Sequence, residues 1–237
     1  MIDIFIVTGK SGAGKDSLVN AFMMQISYGL ITKPYIEKLV PYTTRDPRNY
    51  NERYYNIYNF VGDEELDRLI SDEKVFSEVR TYYVEDPEKA GEKKRVRYAT
   101  VIDIENLKEN SIYIMNGQYE TFESLCRYVG ENDIQDVKVH IVLVDCPDKV
   151  RLQRMLLREN SDDKPNYREL CRRFSDDELK SEFSFAEISK RCAENDFGNI
   201  CMAHYISNGS TFIDAYEGFT SIILHEVKKN KIPEEES

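Results

Sequence analysis

The segment from Ile2 to Ser27 constrains this chain more than any other. Ile2–Thr8 is an apolar run that reads as a buried strand. Nine residues follow: Gly9, Lys10, Ser11, Gly12, Ala13, Gly14, Lys15, Asp16 and Ser17, a G-x4-G-K pattern. An amphipathic helical pattern then covers Lys15–Ser27. Glycines let successive N–H groups turn inward toward phosphate oxygens. Lys15 can reach the β- and γ-phosphates of a nucleoside triphosphate, and the helix start presents its positive end to the same anion. Strand, glycine loop and helix in this order are the context such a loop requires.

The position after the lysine normally carries Ser or Thr, whose hydroxyl holds Mg²⁺. Here it is Asp16, with Ser17 next. A carboxylate is a hard oxygen ligand, so Asp16 and Ser17 are the candidate metal contacts. Asp16 also suits a helix start, where the dipole favours it.

Further buried-strand runs lie at Ile36–Tyr42, Ile112–Asn116, Val139–Val144 and His204–Asn208. Helical patterns lie at Thr121–Gly130, Pro147–Glu159 and Phe212–Lys229, with Pro147 suiting a first helical turn. Alternation of this kind predicts a parallel sheet covered by helices on both faces. Two stretches depart from it. Residues 43–100 are rich in Tyr, Arg and Glu and predict an inserted antiparallel subdomain. The charged text between about Leu157 and Phe185 predicts a mobile helical flap.

The net charge of −11 argues against a nucleic-acid surface, which would repel phosphate. No apolar run approaches the roughly 20 residues of a bilayer span. The N-terminus is acidic where a secretory signal would be basic. Five cysteines without a CxxC pair suit a reducing compartment, so a cytoplasmic protein without structural metal is expected. His140, His204 and His225 lie far apart in sequence and are expected to be structural or surface residues rather than ligands.

A second constellation begins at Pro41: Tyr42, Thr43, Thr44, Arg45, Asp46, Pro47, Arg48, then Glu52 and Tyr58-Asn-Phe60. Two arginines beside threonines make a phosphate clamp, because guanidinium forks match phosphate oxygens. A tyrosine hydroxyl adds a donor.

The two blocks together resemble guanylate kinase. That family has a Gly-x-Ser-Gly-x-Gly-Lys loop, then Ser-x-Thr-Thr-Arg-x-x-Arg, then Glu, then Tyr-x-Phe. This chain has one extra residue between Arg48 and Tyr58. Val75-Phe-Ser-Glu78, Tyr98-Ala-Thr100, the arginines Arg154, Arg158 and Arg173, and Tyr205-Ile-Ser-Asn208 continue the resemblance. It implies a three-layer α/β/α P-loop kinase fold with a five-stranded parallel core sheet. The core would be 1–42, 101–153 and 188–237, the monophosphate-binding subdomain 43–100 and the lid 154–187. It also implies ATP as donor with Mg²⁺, and GMP or dGMP as acceptor. Lys15 and the loop amides would hold the ATP phosphates. Arg45, Arg48, Tyr58 and Tyr98 would hold the acceptor's monophosphate, and Glu78 and Thr100 its base. Arg158 and Arg173 would close over the transferring phosphoryl group, assisted by Arg154, with Asn208 near the adenine.

Two positions depart from the family. Its serine before Thr-Thr falls on Pro41, and its Asp-x-Asp falls on Ile114-Met-Asn-Gly-Gln118, where Asn116 is the nearest polar residue. Both touch base reading or metal positioning, so a same-fold kinase for another nucleotide or phosphorylated small molecule stays open. So does a non-catalytic interaction module of this family. The insertion 85–97 is expected to lengthen a β-hairpin, solvated or reaching an acceptor phosphate with its basic end. Tyr50, Tyr54 and Tyr55 are expected in the subdomain core.

Overall fold

The first strand, β1 (Ile2–Thr8), is buried along its whole length. Such a strand must have neighbours on both edges and cover on both faces. The computed structural model, which describes residues 1–31, 34–47, 52–53, 56–85, 92–161, 165–179, 183–194 and 200–229, supplies both. The expected residues Arg48, Tyr50, Tyr54 and Tyr55, and the middle of the 85–97 insertion, lie outside the described residues.

In chain order the strands are β1, β2 (Tyr35–Lys38), β3 (Tyr42–Thr43), β4 (Asn59–Phe60), β5 (Phe76–Glu85), β6 (Lys93–Ile102), β7 (Ser111–Asn116), β8 (Val137–Asp145) and β9 (Cys201–Ser207). The helices are α1 (Lys15–Ser27), α2 (Asp63–Ile70), α3 (Tyr119–Glu131), α4 (Asp148–Asn160), α5 (Tyr167–Glu178), α6 (Phe185–Glu194) and α7 (Phe212–Lys229). Two compact units result, Lys38–Lys108 and the remainder.

The larger unit holds a five-stranded sheet in the order β2-β7-β1-β8-β9. β1 runs parallel to β7 and β8, and β8 parallel to β9. The register Phe5↔Ile114 and Phe5↔His140 puts Phe5, Val7, Ile114 and Val142 on one face. There they join Leu18, Val19 and Phe22 of α1 and Ala215, Phe219 and Ile223 of α7 in one core. Ile4, Ile6, Ile141 and Leu143 alternate onto the opposite face. α3 packs on β8 and α6 on β9, and Arg191 of α6 lies over the Tyr119 ring of α3. Helices therefore flank the sheet on both faces.

The expected strand Ile36–Tyr42 is broken: β2 ends at Lys38 and β3 resumes at Tyr42 in the other unit's sheet. Pro41, which lacks an N–H to give to a ladder, lies in the break. The last strand begins at Cys201, three residues before the expected His204. Pro147 is the residue before the first turn of α4, its carbonyl accepting from Val150 and Arg151.

His140 and His204, far apart in sequence, meet on the α1 face. His140 Nδ1 lies 3.1 Å from His204 Nε2, and its Nε2 lies 2.9 Å from Asp3 Oδ1. His140 is fully buried and stacks on Phe5 at 4.2 Å. This polar chain joins β1, β8 and β9, a structural use of both histidines.

The smaller unit holds a four-stranded sheet, β4-β3-β6-β5. β5 and β6 form a long antiparallel hairpin from Phe76↔Ile102 to Glu85↔Lys93. β3 is antiparallel to β6 but parallel to β4, so the sheet is mixed where an antiparallel one was expected. α2 is held to the hairpin by the buried Arg97, whose Nη1 donates to Asp63 at 3.1 Å and Asp67 at 2.7 Å. Among the described residues no helix is long and apolar enough to cross a membrane.

Candidate functional site

The glycine loop leaves β1 at its C-terminal end, in the middle of the sheet. The chain runs from β1 to the edge strand β2 on one side, and from β8 to β9 on the other. Ligands of open α/β sheets bind at such a switch point. Gly9 and Gly14 show why the loop needs glycine. Gly9 has φ 144°, and a Cβ there would strike the Val144 carbonyl. Gly14 has φ 98°, and a Cβ there would strike the Asn208 side chain. Side chains are disfavoured at both on conformational grounds as well.

Asn208, nearly fully buried, holds the loop from behind: its Nδ2 donates to the Ala13 carbonyl at 2.7 Å. Lys15 opens α1 and folds back over the loop. Its Nζ donates to Gly9 O at 2.5 Å and Lys10 O at 3.2 Å. Burial pushes the Lys15 ammonium below the usual lysine range, opposed by the charges of Asp16 and Asp177 and reinforced by those of Arg151 and Arg158. Lys15, Asp177, Arg151 and Arg158 thus share one electrostatic neighbourhood. Arg154 donates to Ala13 O at 3.4 Å. Arg151, Arg154 and Arg158 recur at i, i+3 and i+7 and so share one face of α4. Arg173 of α5 lies 3.5 Å from Glu169.

Asp16 and Ser17 are exposed on the first turn of α1. Asn116, at the end of β7, donates its Nδ2 to Asp16 Oδ1 at 2.7 Å. The Asn116 Oδ1 atom is buried without a hydrogen-bond partner. The Asp16 carboxylate and the Ser17 hydroxyl are hard oxygen donors. Mg²⁺ commonly takes one or two carboxylates and fills its shell with water and phosphate oxygens, so this set fits that ion. Among the described residues no group of three His, Cys, Asp or Glu side chains is placed to hold a metal without such help.

Three residues at the loop, Arg151, Asp177 and Glu178, were not singled out from the sequence. Arg151 is fully buried: its Nε donates to Ser11 O at 3.0 Å, and its Nη1 to Asp148 at 2.9 Å and Glu178 at 2.8 Å. Its guanidinium lies 4.7 Å over the Phe174 ring. Asp177 Oδ2 accepts the Ser11 backbone N–H at 2.6 Å. Lys10 Nζ donates to both carboxylate oxygens of Glu178 at 2.8 Å. Lys10 and Arg151 hold the Glu178 carboxyl below its usual range. The helical spacing of Arg151 with Arg154 and Arg158 was the available signal.

In the smaller unit, cross-strand pairs place five side chains on one face of the β5–β6 hairpin: Glu78 opposite Thr100, Arg80 opposite Tyr98, then Tyr82. Tyr98 joins this set to Arg45, whose Nε donates to the Tyr98 hydroxyl at 2.9 Å. The Arg45 fork grips Glu52 at 2.6 and 2.8 Å, and its guanidinium lies 5.1 Å from the Tyr58 ring centre. Burial works against the Arg45 charge, but Glu52 and Tyr98 outweigh it and hold the guanidinium above its usual range. Because the Tyr98 oxygen accepts from Arg45, its own proton is left to donate to an incoming anion. The Glu78 Oε2 atom is buried without a hydrogen-bond partner, while its Oε1 lies 3.3 Å from Arg80 Nε. Arg45, Tyr58, Glu78, Tyr98 and Thr100 are therefore gathered in one unit, with Glu52 and Arg80 as neighbours the sequence reading gave no role.

Comparison of the chain with protein-family models and with curated proteins returned no match.

Proposed function

We propose that this chain is a P-loop nucleoside monophosphate kinase that transfers the γ-phosphoryl group of ATP to GMP or dGMP. The observation that carries the reading is the loop itself. Gly9 and Gly14 hold backbone conformations suited to glycine, Lys15 lies over the loop, and the arginine face of α4 meets it through Arg151 and Arg154. Inward N–H groups, a lysine and several arginines are the equipment that phosphoryl transfer needs, since it depends on positioning and charge cancellation more than on a base.

In this reading Lys15 leaves its two carbonyl partners for the β- and γ-phosphate oxygens. Arg154, Arg158 and Arg173 neutralise charge around the transferring group. Asp16 and Ser17, with Asn116 beside them, would hold Mg²⁺, which would supply positive charge against the phosphates. Arg45, Arg48, Tyr58 and Tyr98 take the acceptor's phosphate, and Glu78 and Thr100 its base. The unpartnered Glu78 oxygen supports a base offering an N–H donor, as guanine does.

Two observations favour a second reading, a kinase of this fold with a different acceptor. Arg80 lies beside Glu78 and Pro41 stands where a hydroxyl would read guanine. A site with altered hydrogen-bonding groups discriminates differently. The test is ATP and Mg²⁺ with a panel of nucleoside monophosphates and sugar phosphates. Turnover of GMP or dGMP above all others is expected. Strong preference for a non-guanine acceptor would replace the acceptor assignment. Absence of ATP binding, with Lys15→Ala harmless to biological function, would favour a non-catalytic interaction module.

A further inference from the structure

We propose that Asp177 and Glu178 are built-in occupants of the phosphate loop: with no triphosphate bound they take up its anion-seeking groups, and a nucleoside triphosphate must displace them to bind. The inference rests on reading the loop as a triphosphate site.

A glycine loop at a helix start offers N–H groups and positive potential to any anion. Two carboxylates of α5 answer that offer. Asp177 accepts the Ser11 N–H at 2.6 Å. Glu178 accepts Lys10 at both oxygens and Arg151 at one. Arg151 Nη2 lies 3.8 Å from the Asp177 carboxylate. The pairing is long-range, since the loop and the end of α5 are separated by 166 to 168 residues.

The helix itself argues that these acids have a partner elsewhere. Asp176, Asp177 and Glu178 occupy the last turn of α5, which contains no basic residue. Carboxylates are disfavoured at the negative end of a helix. The loop is the positive counterpart that compensates Asp177 and Glu178. The Asp177 charge also reaches Lys15, raising its proton affinity against burial.

A triphosphate brought to Lys15 places several negative charges beside these two carboxylates. Like charges at that distance repel, the more so where water is excluded. Either the triphosphate stays out or the end of α5 moves away. Lys10 and the Ser11 N–H are then released to the ligand. The carboxylates keep the loop in its open, anion-binding shape while it is empty and weaken the ligand's net affinity in doing so.

The double variant Asp177→Asn, Glu178→Gln separates this role from mere bracing, because the two predict opposite signs. Affinity for ATP and for inorganic tripolyphosphate is measured on the full chain by displacement of a fluorescent ATP analogue. Tightening by about tenfold for both ligands is expected, the loss of one charge-assisted competitor. Unchanged or weaker binding overturns the proposal. If the double variant does not fold, Glu178→Gln alone is measured with hydrogen exchange of the parent chain. ATP should speed exchange in the last turn of α5, and slowed exchange there would overturn the proposal. Parent binding that the variant does not tighten sinks this inference alone. Binding by neither protein sinks the triphosphate reading and the inference with it.

Discussion

Replacing Arg151 by methionine removes a fully buried guanidinium while keeping most of its aliphatic volume. Three hydrogen bonds go with it: to Ser11 O at 3.0 Å, Asp148 at 2.9 Å and Glu178 at 2.8 Å. The bond to the neutral Ser11 carbonyl contributes about 1 kcal/mol. Bonds to carboxylates contribute more when buried, but the Asp148 side chain is 56% exposed and that of Glu178 36%. Water screens both, so about 1 kcal/mol each is the right scale. Asp177, only 14% exposed, loses its nearby cation and adds about another 1 kcal/mol. The sum is about 4 kcal/mol, within the range for breaking a buried ion pair. For a chain of this size that lowers Tm by about 10 °C. Thermal and urea unfolding followed by circular dichroism measure it. Arg151→Lys, which keeps the charge without the fork, should recover only part of the loss. Destabilisation by Arg151→Met of less than about 1 kcal/mol would refute the reasoning, because the guanidinium would then be replaceable by plain apolar volume.

Arg45→Ala should raise the acceptor's KM by about tenfold to a hundredfold, the scale of a lost charge-assisted contact, with ATP affinity little changed. An equal loss of ATP affinity would contradict its assignment to the acceptor. Asp16→Ala should raise the Mg²⁺ needed for half-maximal activity by on the order of tenfold, and Asp16→Ser should restore much of the loss by returning an oxygen ligand. A Mg²⁺ dependence indifferent to both changes would remove Asp16 from the metal site. Among the cysteines, the exposed Cys171 should alkylate first with iodoacetamide and Cys126 last, because Cys126 is buried and burial pushes its thiol up. Early labelling of Cys126 in the folded chain, read by peptide mass spectrometry, would contradict its placement.

Some of this was legible in the text of the chain. The hydrophobic run Ile2–Thr8, the glycines after it and the helical period from Lys15 specify strand, loop and helix by local sterics alone. Gly9 and Gly14 need no distant residue to explain their conformations, though Val144 and Asn208 show what a side chain would meet there. The strand–helix alternation likewise specified a parallel sheet with helices on both faces. It did not specify the split at Pro41 as two strands in two different sheets, nor the parallel β3–β4 pair, because a two-residue strand carries too little periodicity to reveal its partner.

Which distant residues meet is a property of the fold. Asn116 reaches Asp16 across 100 residues because β7 and β1 are neighbours in the sheet, and sequence order does not state that adjacency. His140 finds Asp3 and His204 for the same reason. Nothing local in the sequence marks Asp177 or Glu178 as partners of the loop, and Arg151 is marked only by its spacing with Arg154 and Arg158. Their contacts with the loop depend on how two helices pack, which local propensity does not encode. A glycine loop's shape is a local property of its backbone, so sequence determined it. The charges that surround the loop are long-range contacts, so only the fold decided them.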